Sequence, residues 1–144
     1  MKGILLLSHG ELANGIMNSV SFFFGDEIEQ LDALILKQDD DATKFGERIN
    51  EAVTKLDTGE GVVILVDLFG GTPCNQSAYV LKDNIDIITG LNLPLLMECL
   101  SMRMQGEFDA EELVSRGKES ISNYGALLRE KLANRKPRRR KNKE

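Results

Sequence analysis

Val62-Val63-Ile64-Leu65-Val66-Asp67 is an unbroken apolar run, rich in β-branched residues, that ends on a carboxylate and is followed by Gly70-Gly71-Thr72-Pro73. A short apolar run bounded by turn residues reads as a strand buried on both faces, the kind found in parallel sheets covered by helices. Pro73 has a fixed φ and no N–H to lose, so it suits the first helical position of a segment reaching Leu81. Upstream, Ile4-Leu5-Leu6-Leu7 is a second buried run, closed by Ser8-His9-Gly10. Leu12, Ile16, Met17, Val20 and Phe24 then recur at helical spacing, with Gly25 as the stop.

Leu31 to Leu36 is a further strand, and Asp39-Asp40-Asp41 stands at the start of the helical stripe Ala42, Phe45, Ile49, Ala52, Val53 and Leu56. Carboxylates there cap free amides and complement the helix dipole, which accounts for the triplet without a metal. Downstream, Ile85–Thr89 makes a fourth strand, Pro94 opens a helix to about Met102, and Glu107 to about Glu119 reads as helix. Ile121–Leu128 is open: Tyr124 and Leu128 fit a helix, while Gly125 weakens one. Strands alternating with helices imply parallel strands joined by right-handed crossovers, hence a three-layer, doubly wound α/β domain.

A chain of 144 residues suits one domain, with 42% hydrophobic and 28% charged residues typical of a globular protein. No apolar run approaches the ~20 residues of a membrane span, and the N-terminus lacks a signal-peptide pattern, so a cytoplasmic chain is expected. Two cysteines 25 residues apart, Cys74 and Cys99, form no disulfide framework or metal cluster. The net charge of −5 conceals an asymmetry: Arg135–Glu144 holds seven of the 18 Lys/Arg and one of the 23 Asp/Glu, leaving residues 1–134 at −11. We expect a folded body over 1–130 and a basic, disordered tail over 131–144. The acidic body and a tail without aromatics argue against nucleic acid. The tail reads as a solvated end, with docking to an acidic partner or anionic surface as the functional alternative.

Doubly wound sheets bind ligands at the carboxyl ends of their strands, beside the point where strand order reverses. In a 2-1-3-4 order that point lies between the first and third strands, so His9, the sole histidine, and Asp67 would face one crevice. A carboxylate on one imidazole nitrogen fixes the tautomer and leaves the other nucleophilic. With no serine nucleophile elbow in the chain, His9 itself is the candidate nucleophile. The glycines of Gly70-Gly71-Thr72 would let backbone amides at a helix start cradle an anion, and the Thr72 hydroxyl adds a donor. The combination points to reversible phosphoryl transfer. Taken singly, each signal has a plainer reading: His9 as a strand-end residue, Asp67 as an Asx cap, Gly-Gly-Thr-Pro as an ordinary turn and Cys74 as a bystander thiol. Neither nucleotide-loop spacing is present.

Three stretches, in order, resemble a known family. Ile4-Leu5-Leu6-Leu7-Ser8-His9-Gly10 with Leu12-Ala13-Asn14-Gly15, then Val66-Asp67-Leu68-Phe69-Gly70-Gly71-Thr72-Pro73-Cys74-Asn75, then Gly90-Leu91-Asn92-Leu93-Pro94-Leu95-Leu96-Met97-Glu98 are similar to motifs of the mannose-type enzyme IIA domains of the bacterial sugar phosphotransferase system. The resemblance covers residues 1 to about 130 and excludes the tail. It implies a 2-1-3-4 sheet, His9 as the phosphorylated residue and Asp67 as its hydrogen-bonding partner. It also implies phosphotransferase activity without metal or cofactor, with phosphate arriving from the phosphocarrier HPr and leaving to a histidine of a IIB domain or subunit. The sugar would be phosphorylated in membrane subunits IIC and IID, met only indirectly. Thr72 stands where many members have serine, so a hydroxyl is kept. Members are commonly homodimers that exchange a last, antiparallel strand, which would fall at Ile121–Leu128. Several fuse a IIB domain after a linker; this chain stops instead, so a separate IIB is expected. Two other uses fit the same residues: a regulatory module that changes partners when His9 is phosphorylated, and the phosphotransferase subunit of dihydroxyacetone kinase.

Overall fold

Val62–Val66 forms a strand in which every residue is buried, because helices cover both faces of the sheet it belongs to. A computed structural model describes residues 1–135. The elements in chain order are β1 (Gly3–His9), α1 (Leu12–Phe24), β2 (Leu31–Leu36), α2 (Ala42–Leu56), β3 (Val62–Val66) and α3 (Gly71–Ser77), the last extended by a 3-10 turn over Ala78–Val80. They continue with β4 (Ile85–Thr89), α4 (Leu93–Gln105), α5 (Ala110–Glu119) and α6 (Tyr124–Ala133). The four strands form one parallel sheet in the order β2-β1-β3-β4.

Alternation along the strands produces the three layers. Ile4, Leu6, Val63 and Leu65 point to one side and pack with Ala13, Ile16 and Val20 of α1, Leu96 and Leu100 of α4 and Leu113 of α5. Leu5, Leu7, Ile64 and Val66 point to the other side, against Phe45, Ile49 and Val53 of α2. Burying one such side chain contributes about 1.5–3 kcal/mol, so these two clusters are the main favourable contribution to folding. The carboxyl end of β1 is held between both neighbours: His9 is in register with Leu36 of β2, and the amide of Asp67, just past β3, donates to the carbonyl of Leu7 at 3.0 Å.

Helix starts follow capping chemistry. The Asp41 carboxylate accepts from the Lys44 amide at 2.9 Å, so the acidic triplet does open α2. Asn92 caps α4 and Asp109 caps α5, and that second cap fixes the start of α5 at Ala110 rather than near Glu107. The helix after β3 opens at Gly71, which makes Pro73 its third residue rather than its first.

The segment Ile121–Leu128 differs from the exchanged antiparallel strand that the resemblance implied. Asn123 caps the segment, its side-chain oxygen accepting from the Ala126 amide at 2.9 Å, and helix α6 follows from Tyr124. Among the described residues β4 is paired only with β3, so no strand lies on its outer edge. Without a neighbouring strand to supply hydrogen bonds, local capping and the good helix formers Ala126, Leu127 and Leu128 decide the conformation. α6 continues past residue 130 to Ala133; the expected disorder of the basic tail falls for the most part on 136–144, outside the described residues.

Candidate functional site

β1 and β3 are adjacent although their ends lie 58 residues apart in the chain, and both stop at the same level. The residue at the end of β1 is His9, and the residue just past β3 is Asp67. One carboxylate oxygen of Asp67, Oδ2, accepts from the His9 backbone amide at 2.9 Å and lies 2.9 Å from His9 Nδ1. The other, Oδ1, accepts from the Leu68 amide at 2.9 Å. An ionised carboxylate is an acceptor only, so Nδ1 carries the ring proton and Nε2 keeps a free lone pair. The carboxylate thereby fixes position, tautomer and orientation of the imidazole at once. Exposure differs sharply across the pair: the Asp67 side chain is 8% exposed, while the His9 side chain is 45% exposed.

Gly70 and Gly71 both have positive φ, at 87° and 78°, the region that side chains with a Cβ avoid. At Gly71 space forbids a side chain as well, since a Cβ there would lie 3.0 Å from His9 Nε2 and 2.9 Å from Cε1. The turn therefore lies directly against the free nitrogen. The amides of Gly71 and Thr72 open α3, where the first N–H groups of a helix have no intrahelical acceptor, and Pro73 has none to offer. Thr72 is half-buried, and its hydroxyl makes no hydrogen bond among the described residues. His9, Asp67, Gly70, Gly71 and Thr72 thus all gather at the carboxyl end of the sheet.

Two further residues belong to this end and escape a reading of the sequence. Ser8 is fully buried; its hydroxyl donates to the Gly10 carbonyl at 2.9 Å and accepts from the Ala13 amide at 2.8 Å. It thereby caps α1, whose own N-cap residue Glu11 makes no side-chain cap. The signal was a helix start lacking Ser, Thr, Asp or Asn at its cap, with a serine three residues before it. Lys37, directly after β2, lines a shallow depression with His9, Gly10, Leu36 and Gln38. Around the rim, Leu68 and Phe69 project into solvent, Phe69 almost completely.

The sequence profile described as "PTS system fructose IIA component" matches residues 3–115, the larger part of the chain and both halves of this site. The chain belongs to that IIA family. Among its relatives, the fructose-specific EIIA component of Bacillus subtilis strain 168 is 31% identical over 105 residues, covering 72% of this chain and 71% of the relative. The mannose-specific EIIAB component of Escherichia coli K12 is 29% identical over 136 residues. That match takes in 90% of this chain but 42% of the relative, so the IIA chain spans less than half of that protein. Among solved structures, a PTS IIA protein associated with the fucose utilization operon of Streptococcus pneumoniae is 32% identical. It superposes with a TM-score of 0.79 over 88% of this chain and 96% of that one. A mannose/sorbose-specific IIA subunit from Enterococcus faecalis, 23% identical with a TM-score of 0.73 over 85% of this chain and 95% of that one, shares the fold. No helix of the described residues is long and apolar enough to cross a membrane.

Proposed function

We propose that this mannose-family IIA chain carries a phosphoryl group on His9 Nε2, taking it from phospho-HPr and giving it to a histidine of a IIB domain or subunit. The observation that carries this reading is the 2.9 Å contact of His9 Nδ1 with Asp67 Oδ2, which leaves Nε2 as the exposed, unprotonated nitrogen. In the forward step the Nε2 lone pair attacks phosphorus, and the P–N bond of the donor histidine breaks with its electron pair returning to the donor ring. His9 keeps its Nδ1 proton, and Asp67 stabilises the positive charge that appears on the imidazole. The reverse sequence delivers the group to IIB.

The amides of Gly71 and Thr72 and the Thr72 hydroxyl would hold the phosphoryl oxygens, with Gly70 setting the turn that aims them. Donors already in place where charge accumulates are the largest catalytic contribution available to a reaction that involves no bound nucleotide. Lys37 adds long-range attraction for the incoming phosphate. Phe69 and Leu68, apolar and exposed beside the nucleophile, suit contact with the protein partners. A homodimer, and work on the cytoplasmic side with IIC and IID met only through IIB, complete the reading.

The test is a relay assay. Enzyme I, HPr and labelled phosphoenolpyruvate should give a chain-bound phosphate that is acid-labile and base-stable, and that a cognate IIB discharges. His9→Ala should take up no label; uptake equal to the unaltered chain would overturn the proposal. Label that enters His9 but passes to no IIB would favour the regulatory module instead.

A further inference from the structure

Among the described residues three polar or charged residues are buried, Ser8, Ser77 and Arg103, and Ser8 is the one next to His9 in the chain. Alternation along β1 turns Ser8 to the same side as Ile4 and Leu6, into an otherwise apolar layer. A hydroxyl taken out of water there costs stability unless it finds hydrogen-bond partners. It has two: its hydrogen goes to the Gly10 carbonyl at 2.9 Å, and its oxygen accepts from the Ala13 amide at 2.8 Å. One buried atom therefore spans the turn in which His9 sits, from the residue after the histidine to the first turn of α1.

His9 is held on both sides. On its amino side its own amide donates to Asp67 Oδ2 at 2.9 Å. On its carboxyl side the Gly10 amide donates to the Leu36 carbonyl at 2.8 Å, and the Gly10 carbonyl is taken by Ser8. Gly10 needs that second hold, because its φ of 59° lies in the left-handed region and glycine has many other conformations open to it. We propose that Ser8 is a positioning residue for His9: its hydroxyl fixes the Gly10 peptide and so keeps the imidazole against Asp67 Oδ2.

Asp67 is anchored without help from the turn: its amide donates to the Leu7 carbonyl at 3.0 Å, and Oδ1 accepts from the Leu68 amide at 2.9 Å. When the turn relaxes, the carboxylate therefore stays while the histidine shifts, and both bonds to Oδ2 lengthen together. Nδ1 then loses the acceptor that holds its proton there, and the tautomer with a free Nε2 is no longer enforced. The consequence for transfer rests on the phosphoryl-carrier reading; the consequence for the ring does not. A plain helix cap behaves differently. Asp109 caps α5 by accepting from the Glu112 amide at 3.1 Å, and its neighbour Phe108 lies 4.9 Å from the Lys2 ammonium, at the opposite end of β1 from His9.

Two readouts on the full chain test this: ¹⁵N NMR of the His9 ring in alkaline solution, where an imidazole is neutral, and the rate of phosphoryl transfer from phospho-HPr. The unaltered chain should show one protonated and one unprotonated ring nitrogen. In Ser8→Ala the two shifts should draw together towards the averaged values of a free imidazole. Transfer should slow about ten-fold or more at saturating phospho-HPr, with KM unchanged. Ser8→Cys, whose thiol is a weak hydrogen-bonding group of similar shape, should show both changes to a smaller extent and serves where Ser8→Ala does not fold. Asp109→Ala, which loses only a helix cap, should leave both readouts as they are. A His9 ring in Ser8→Ala like that of the unaltered chain overturns the proposal, and so does an unchanged transfer rate. An Asp109→Ala variant that shifts the ring as far as Ser8→Ala also overturns it, because lost stability would then explain the effect. If the ring responds as expected but the unaltered chain takes no label from phospho-HPr, the phosphoryl-carrier reading falls and the hold of Ser8 on His9 stands.

Discussion

One aspartate oxygen organises the sole histidine: Asp67 Oδ2 binds both the backbone amide and the ring Nδ1 of His9. Backbone and side chain cannot then move separately, and the ring cannot flip without losing a charge-assisted bond. Ser8 holds the next link, the Gly10 carbonyl and the Ala13 amide, from a fully buried position. Ser8→Ala leaves that amide and carbonyl without their partner, so we expect a loss of about 1–3 kcal/mol in urea unfolding. Stability within about 0.5 kcal/mol of the unaltered chain would show that water replaces the hydroxyl and that the turn holds itself. The two residues also show what a sequence discloses at this scale. The meeting of His9 and Asp67 was legible, because strand ends beside a reversal of strand order must converge. The role of Ser8 was not, since its two bonds exist only once Gly10 turns the chain back over it.

Elements are bounded here by short polar side chains folding back on the backbone. Between α2 and β3, Asp57 Oδ1 accepts from the amides of Gly59 at 2.9 Å and Gly61 at 3.0 Å, and Oδ2 accepts from Asn84 at 3.2 Å. The Gly59 and Gly61 amides hold the Asp57 carboxyl below its ordinary 3.8. A group whose pKa is depressed by folding stabilises the fold above its unfolded value, and that contribution disappears as pH falls through the folded value. Asp57→Asn keeps an oxygen for the two glycine amides but does not titrate. The stability difference between the unaltered chain and Asp57→Asn should therefore shrink in urea unfolding between about pH 7 and about pH 3. An equal difference at both would remove the carboxylate charge from this turn. The strands were legible as short apolar runs, α1 and α2 by apolar residues at helical spacing, and α4 by Pro94 at its start. α6 was not, since Tyr124, Leu127 and Leu128 touch no core and periodicity reports burial.

The whole molecule has two ends with different work. At the amino ends of the strands, buried Arg103 of α4 donates to the carbonyls of Lys2 at 3.0 Å, Gln30 at 2.9 Å and Glu29 at 2.7 Å, tying the entries to β1 and β2 together. Burial lowers the Arg103 pKa, yet three carbonyl acceptors keep a guanidinium the right group there. Nothing in the local pattern marks an arginine at a helix end as buried; the three carbonyls come together only in the folded sheet. At the carboxyl ends, the same sheet order sets a fixed carboxylate, an exposed imidazole and a glycine turn within contact of one another. Total charge, −5 for the chain and −11 for residues 1–134, says little about how the proposed partners would meet this end, because the local field at the rim around His9 would govern such an encounter. In the proposed function this arrangement makes Nε2 of His9 the phosphoryl acceptor. Long-range proton–nitrogen NMR of the ¹⁵N-labelled chain, phosphorylated through enzyme I and HPr, tests it most directly. Phosphorus should couple to Nε2 while Nδ1 retains its proton; phosphorus on Nδ1, or an unmodified His9 ring, would rule out Nε2 as the acceptor.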